Sequence, residues 1–257
     1  MQETIEFMNT LAGLSGSVIR KYFRGTFAFE AKSKGDPVTQ ADKETEEALR
    51  ELIAKTYPAD GIQGEEYGIT KGTSGRVWVI DPIDGTRAFA VGRATFTTVI
   101  GLCENGVPVA GLLDQPIIGD RWIGIKGHNT IHNGQIIKTR KCPDMAQART
   151  ILTSPDMFKS DAEKRAYKKF CDETGYQTYG GDCYAYGLLA SGYADAVLEA
   201  SLKAHDIMGL VAIVEGAGGV ITDWQGRAIT LDNCSGQTLA CGDKVLHQRL
   251  LALLTEA

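Results

Sequence analysis

Apolar residues return at helical intervals through the first part of the chain. Between residues 4 and 23 they fall at Ile5, Met8, Leu11, Ala12, Val18, Ile19 and Tyr22, with the small Ser15 on the same face. Spacings of three and four put these positions on one side of a helix, which should end near Gly25. A second helix is predicted over residues 40–55, with Ala41, Ala48, Leu49, Leu52 and Ile53 on one side and Pro58 closing it. From Val77 the period shortens: VWVI, FTTVIGL, VPVAGLL and RWIGI read as strands separated by turns such as Glu104-Asn105-Gly106 and His132-Asn133-Gly134. After Lys141-Cys142-Pro143 the pattern resets. ARTILT and residues 194–199 are expected as strands, as is GGVIT, with helices over 162–173, 184–191, 207–215 and 244–254. Alternating helices and strands predict an α/β or α+β layered fold, with a first half over residues 1–145 and a second over 146–257.

Length and composition change this picture little. The 257 residues, 43% hydrophobic and 23% charged, describe an ordinary globular chain with no apolar run long enough for a membrane span. The N-terminal MQETIEFMNTLAGL lacks the basic start and apolar core of a signal peptide, so a cytoplasmic protein is expected. Six scattered cysteines form no Cys-x-x-Cys pair, which argues for reduced thiols rather than a zinc site. A net charge of −5 without a basic run argues against nucleic acid as a partner. It leaves room for an anionic small substrate wherever a bound metal reverses the local sign.

The chemistry concentrates in VWVIDPIDGT, residues 77–86. A strand should deliver Asp81 at its carboxyl end, Pro82 should bar further regular pairing, and Asp84-Gly85-Thr86 should open a helix. Two acids across one kink can point into the same space, where their repulsion is relieved by a cation, and hard oxygen donors favour magnesium. Free N–H groups at the helix start, with the Thr86 hydroxyl, suit a phosphate. A plainer alternative is that Asp81 ends a strand and Asp84 caps a helix. Three further acidic features have similar pairs of readings. Gly64-Glu65-Glu66 is a loop that could be solvated surface; DPVTQAD, residues 36–42, could be a capping box at Thr39 and Asp42; and Asp206 in AHDIMGLVAIVEGAGG could be a helix cap. Four histidines at 128, 132, 205 and 247 show no ligand spacing, and the tyrosines 176, 179, 184, 186 and 193 read as packing.

In this order, DPVTQAD, GEE, DPIDGT and AHDIMGLVAIVEGAGG, the chain resembles the inositol monophosphatase-like superfamily of magnesium-dependent, lithium-sensitive phosphatases over nearly its whole length. The resemblance implies a sugar-phosphatase-type αβαβα sandwich whose halves meet at the active site, and commonly a homodimer. It also implies metal ligation of two or three Mg²⁺ ions by Glu65, Asp81, Asp84, Asp206 and the carbonyl of Ile83. Gly85 and Thr86 then match the phosphate cradle, and Asp42, Thr86 and Glu65 match the group that orients and deprotonates the attacking water. Asp36 and Glu66 match outer positions.

A finer resemblance, in DGTRAFAVGR, GVPVAGLLDQPIIGDRWIG and GGDCYAYGLLASGYADAVLEASLKAHD, points to the histidinol-phosphatase branch. Simple inositol phosphatases usually carry asparagine where Arg87 stands, in a DGTxNF motif, so Arg87 is expected to contact the substrate. A histidinol phosphate substrate carries an ammonium and an imidazole, so spare carboxylates are expected around it. Asp182 and Glu199 are such acids, with a helix cap and a solvent-facing strand end as their plainer readings. The same chemistry on inositol monophosphate or a 3′-phosphonucleotide is the nearest alternative, and a non-catalytic phosphate-ligand binder is one of another class.

Overall fold

The computed structural model describes residues 1–25, 29–33 and 36–255, with the backbone alone in the strands 29–33 and 36–39. In chain order the first half contains α1 (Gln2–Tyr22), β1 (Phe29–Ser33), β2 (Asp36–Thr39), α2 (Gln40–Thr56), β3 (Gly61–Gly64), β4 (Gly68–Thr70), β5 (Arg76–Asp84), α3 (Thr86–Ala90), β6 (Thr97–Glu104), β7 (Val107–Gln115), β8 (Asp120–Ile125), β9 (Ile131–His132) and β10 (Gln135–Ile136). There follow β11 (Arg149–Leu152), α4 (Asp161–Glu173), β12 (Tyr176–Tyr179), α5 (Tyr184–Ala190), β13 (Ala196–Glu199), α6 (Ala204–Gly216), β14 (Val220–Thr222), β15 (Thr238–Cys241) and α7 (Lys244–Thr255).

Strand alternation builds a five-layer sandwich. In β5, Trp78 and Ile80 point to one face, where they meet Met8 and Leu11 of α1 and Leu49 and Ile53 of α2. Val79, between them, points to the other face and the core around α5 and α6. The same alternation recurs in the second sheet. Val197 and Ala240 face α5 and α6, whereas Leu198 and Leu239 face α4 and α7 through Phe170, Leu246 and Leu250. The layers therefore run helix pair, eight-stranded sheet, helix pair, five-stranded sheet, helix pair. The fold is mixed α/β with the αβαβα order. Helix α6 is buried on nearly every face because it is the middle layer.

The large sheet has the order β10-β9-β8-β7-β6-β5-β3-β4, antiparallel except where β3 runs parallel to β5. Its centre carries a glycine row. Gly101 of β6 lies opposite Gly111 of β7, which lies opposite Gly124 of β8. A Cβ on Gly101 would sit 2.7 Å from the Met208 carbonyl carbon, and one on Gly111 or Gly124 would overlap the backbone of Gly209 or Ala212. Without these side chains α6 lies directly on the sheet. The helix is thereby fixed at the depth and register that carry its first turn to the end of β5.

Several elements depart from the sequence reading. Strand β5 does not stop at Ile80 but continues through Pro82, with the register against β6 shifting between Asp81 and Asp84. A proline at a bulge loses no ladder bond, which is why the pairing survives it. Helix α6 begins at Ala204, three residues before the apolar pattern. The strands β3, β12 and β15 carry too few residues to display a period. Tyr176, Tyr179 and Tyr193 are exposed, and only Tyr186 of the tyrosine set is fully buried. Among the described residues no helix is long and apolar enough to cross a membrane.

Candidate active site

Register places the first two acids. Because β3 and β5 run parallel with Gly64 opposite Ile80, the residues that follow, Glu65 and Asp81, emerge side by side. The Glu65 N–H donates to the Ile80 carbonyl at 3.2 Å and closes this edge. The bulge beyond Asp81 then re-aims the strand, held by Thr98 Oγ1 donating to the Pro82 carbonyl at 2.8 Å. Gly85 follows at φ 78, a left-handed turn that opens α3 and leaves its first N–H groups without helical acceptors. The capping position of α3 is therefore Gly85 and not Asp84. Asp206 arrives from the other side on α6 as the third residue of that helix. Its Oδ2 accepts the Lys203 N–H at 2.6 Å, so it caps its own helix and also lines the cleft.

The result is two overlapping donor sets. Carboxylate oxygens of Asp81, Asp84 and Asp206 lie within 4.8 Å of one another, as do ligand atoms of Glu65, Asp81 and His205. Asp81 belongs to both. It is only 2% exposed, and its Oδ1 is buried with no hydrogen-bond partner. Burial, followed by the charges of Glu65, Asp84 and Asp206, pushes its carboxyl well above the usual range. Asp84 is pushed up in the same way, by burial and by Asp182 and Asp206, against the Cys183 N–H that donates to its Oδ2 at 2.6 Å. Buried carboxylates in this arrangement are stable as anions only around a cation. A small hard ion fits the donors, because it completes an oxygen that no protein group reaches.

Around this centre the cleft, about 280 Å³, is also lined by Ile83, Gly85, Thr86, Arg87, Thr153, Asp182, Ser201 and Lys203. Thr86 Oγ1 donates to the Ile83 carbonyl at 3.0 Å. Asp182 presses on Gly85: a Cβ there would lie 3.0 Å from the Asp182 carboxyl carbon. Asp182 itself is held at φ 43, a conformation its neighbours must enforce. Burial raises its carboxyl to about 6, against the pull of Arg93 and Arg87. The asparagine of DGTxNF falls at Ala88 and not, as expected from the sequence, at Arg87: Ala88 is buried, whereas Arg87 stands exposed at the rim.

Some expected residues stand behind the cleft and not in its wall. Asp42 is buried in the first turn of α2, next to Ala41, which packs in one cluster with Ile83 and Phe89. Glu66 belongs to a loop tied down by Glu46, whose Oε2 accepts the Glu66 N–H at 2.7 Å and whose Oε1 accepts from Tyr67 at 3.1 Å. Glu199 is 1% exposed and is no solvent-facing strand end. It accepts from Thr153 Oγ1 and, at 3.0 Å, from the Tyr186 hydroxyl. Burial raises its carboxyl to about 8. The side chains of Asp36 and Thr39 lie outside the described residues. Glu46, Thr153, Ser201 and Lys203 carry no site expectation from the sequence, and His205, which the sequence favours as a packed histidine beside Asp206, stands within reach of Glu65 and Asp81. Thr153 closes the predicted strand ARTILT, and Lys203 and His205 lie three residues and one residue before Asp206, so nearness to a strand end or a named acid was the available signal.

Comparisons with known proteins give the family and the fold. The sequence model described as "Inositol monophosphatase family" matches residues 1–257. The bifunctional phosphatase IMPL2, chloroplastic, of Arabidopsis thaliana is 45% identical over 254 residues, covering 96% of this chain and 73% of that protein. A histidinol-phosphatase of Streptomyces coelicolor is 32% identical over 237 residues, covering 88% and 87%. Among solved structures, an inositol monophosphatase from Zymomonas mobilis superposes with a TM-score of 0.90 at 40% identity, covering 99% of this chain and 98% of that one.

Proposed function

The chain belongs to the inositol monophosphatase family and is a phosphatase, and from that premise we propose that it is a Mg²⁺-dependent phosphomonoesterase acting on histidinol phosphate. The observation that carries the metal is the partnerless, buried Oδ1 of Asp81, shared between two donor sets. For the substrate, support comes from the Asp182 carboxylate pressed against Gly85, where an ammonium on the leaving alcohol would find it. A relative named histidinol-phosphatase adds to that support.

In this reading Glu65, Asp81, Asp84, Asp206 and the carbonyl of Ile83 would hold the metal. Bound there, the metal supplies Lewis-acid polarisation of phosphate oxygens and acidification of water. Gly85 and Thr86 seat the phosphate at the start of α3. The Thr86 hydroxyl has committed its proton to the Ile83 carbonyl. Its oxygen is therefore an acceptor that orients the attacking water, and Glu65 receives the proton, with Asp42 supporting the pair from behind the cleft wall. Attack is in line with the leaving alkoxide, with no covalent phosphoenzyme. Asp36 and Glu66 steady this set from outside, and two copies of the chain form the working dimer. The residues before and after 145 act as two halves, the second supplying Asp206 and Asp182.

A panel of histidinol phosphate, inositol monophosphate, fructose bisphosphate and a 3′-phosphonucleotide, with and without Mg²⁺ and Li⁺, tests the reading. Preferential, Mg²⁺-dependent, Li⁺-inhibited release from histidinol phosphate is expected. Preference for inositol monophosphate, the second reading favoured by the 40% identical Zymomonas structure, would displace it.

A further inference from the structure

The ligands of the Mg²⁺ reading are all oxygens, yet one of the two donor sets contains a nitrogen. Helix α6 carries His205 immediately before Asp206, so the glycine row that fixes the depth of the helix brings both side chains to the end of β5. Ligand atoms of His205, Glu65 and Asp81 lie within 4.8 Å of one another. Donors bound about 2.0–2.2 Å from a single ion stand roughly 3–4 Å apart. Small side-chain rotations therefore close the three onto one ion.

The imidazole is not committed elsewhere. His205 is 9% exposed and lines the cleft, and it makes no hydrogen bond among the described residues. Its Nε2 stands 3.6 Å from Asp206 Oδ1, beyond hydrogen-bond reach, while the other oxygen of that carboxylate holds the Lys203 N–H. A largely buried ring without a partner forgoes interactions that it would make in water. The second unpartnered group of the same set is Asp81, 2% exposed, whose Oδ1 is buried with no hydrogen bond. Two independent vacancies in hydrogen bonding thus face one point.

The two sets differ in chemistry. Asp81, Asp84 and Asp206 offer three carboxylates, the donors that a hard ion prefers, whereas Glu65, Asp81 and His205 offer two carboxylates and an imidazole, which suit a first-row transition ion. We propose that the Glu65–Asp81–His205 set is selective for a divalent transition ion, held through a ring nitrogen of His205, with Asp81 shared between this ion and the Mg²⁺ of the three-aspartate set. The inference rests on the metal-dependent reading above and assigns unlike ions to its two positions.

The test takes the full chain, freed of metal with chelator, and follows Mg²⁺ binding, and Co²⁺ binding in a background of Mg²⁺, by calorimetry. Carboxylates alone also favour Co²⁺ over Mg²⁺, so the informative comparison is between the unmodified protein and His205→Phe. The variant is expected to bind Co²⁺ at least about tenfold more weakly, as for loss of a ligand. Its Mg²⁺ affinity should stay within about twofold, because imidazole is a poor donor to a hard ion. Pulsed EPR with one equivalent of Mn²⁺ should show the hyperfine coupling of a directly bound ¹⁴N, replaced by that of ¹⁵N on histidine labelling and lost in His205→Phe. Should the variant not fold, this coupling in the unmodified protein decides, since among the described residues no other histidine belongs to a group that could hold an ion. A smaller fall in Co²⁺ affinity, or no directly bound nitrogen, overturns the inference while leaving the Mg²⁺ reading in place. No binding of any divalent ion overturns the metal reading, and the inference with it.

Discussion

Gly111 and Gly209 touch through backbone alone: a methyl group built on Gly111 would fall inside the carbonyl of Gly209. This contact, between the middle of the large sheet and the helix that carries Asp206, sets where that carboxylate meets Asp81 and Asp84. Gly111→Ala is expected to cost about 1–3 kcal/mol of stability through overpacking and to weaken Mg²⁺ binding as well. Leu112→Ala, on the opposite face of the same strand, should destabilise by about 2–5 kcal/mol with Mg²⁺ affinity unchanged. Urea unfolding and calorimetric titration of Mg²⁺ separate the two effects; equal Mg²⁺ affinity in both variants would show that the contact does not position Asp206.

The acids of the centre were legible in the sequence because they sit on short local signals, a strand ending in DPIDGT and an acid at the head of an apolar helix. What brings them together was not. That Glu65 stands beside Asp81 depends on β3, whose four residues GIQG have too little period to read as a strand. Glu199 reads in the sequence as a spare acid toward the substrate, with an exposed strand end as the plainer reading, yet its surroundings come from Thr153 and Tyr186, 46 and 13 residues away in sequence. Local periodicity carries no information about such neighbours.

Asp84→Asn should leave the fold intact and abolish most metal-dependent turnover. The amide still accepts from the Cys183 N–H but loses the charge that the donor set offers a cation. Loss of an outer partner of a metal ligand typically costs 10–100-fold, so loss of a ligand should exceed roughly 100-fold. Phosphate release at saturating substrate and circular dichroism check the two halves of this expectation, and full Mg²⁺-dependent activity would remove Asp84 from the metal's ligands.

Asp182→Asn should raise KM for histidinol phosphate about tenfold, the order expected for one charge-assisted hydrogen bond. KM for inositol monophosphate, which has no cation to place there, should shift far less. Equal losses on both substrates would mean that Asp182 shapes the loop beside Gly85 and does not read the substrate's charge.

Removing metal should invert the pH dependence of stability. The folded-state carboxyls of Asp81 and Asp84 are raised without metal. As pH climbs above the ordinary carboxylate value of about 3.9, the unfolded chain releases these protons first and the metal-free fold loses stability. Saturating Mg²⁺ binds the ionised carboxylates of the folded state, so its stabilisation grows over the same range. Denaturation midpoints in chelator and in Mg²⁺ should diverge from pH 4.5 to 7.5. Parallel curves would show that no ion is bound by these two acids.

Glu199 offers a linkage measurement of its own because both of its hydrogen-bond partners are uncharged hydroxyls. Its carboxyl is raised from the ordinary 4.5 to about 8 by burial and by the charges of Asp182 and Asp206, against the hydrogen bonds from Thr153 and Tyr186. With the folded pKa above the unfolded one, its contribution is fully present below about 4.5 and is lost as pH rises to about 8, where it levels off. Glu199→Gln keeps a neutral group of the same shape, which can still hydrogen-bond both hydroxyls, but it has no proton to hold. The variant and the unmodified protein should therefore be similarly stable near pH 5. The variant should gain by up to about 1.4 kcal/mol per pH unit through the window, with no further divergence above pH 8.5. Urea unfolding of both proteins in chelator, at matched ionic strength, measures that difference directly because the titrations of Asp81 and Asp84 are common to the two. A constant difference across the window would mean that Glu199 is already ionised in the fold at low pH. It would then be a charged neighbour of the cleft and not a neutral support for Thr153.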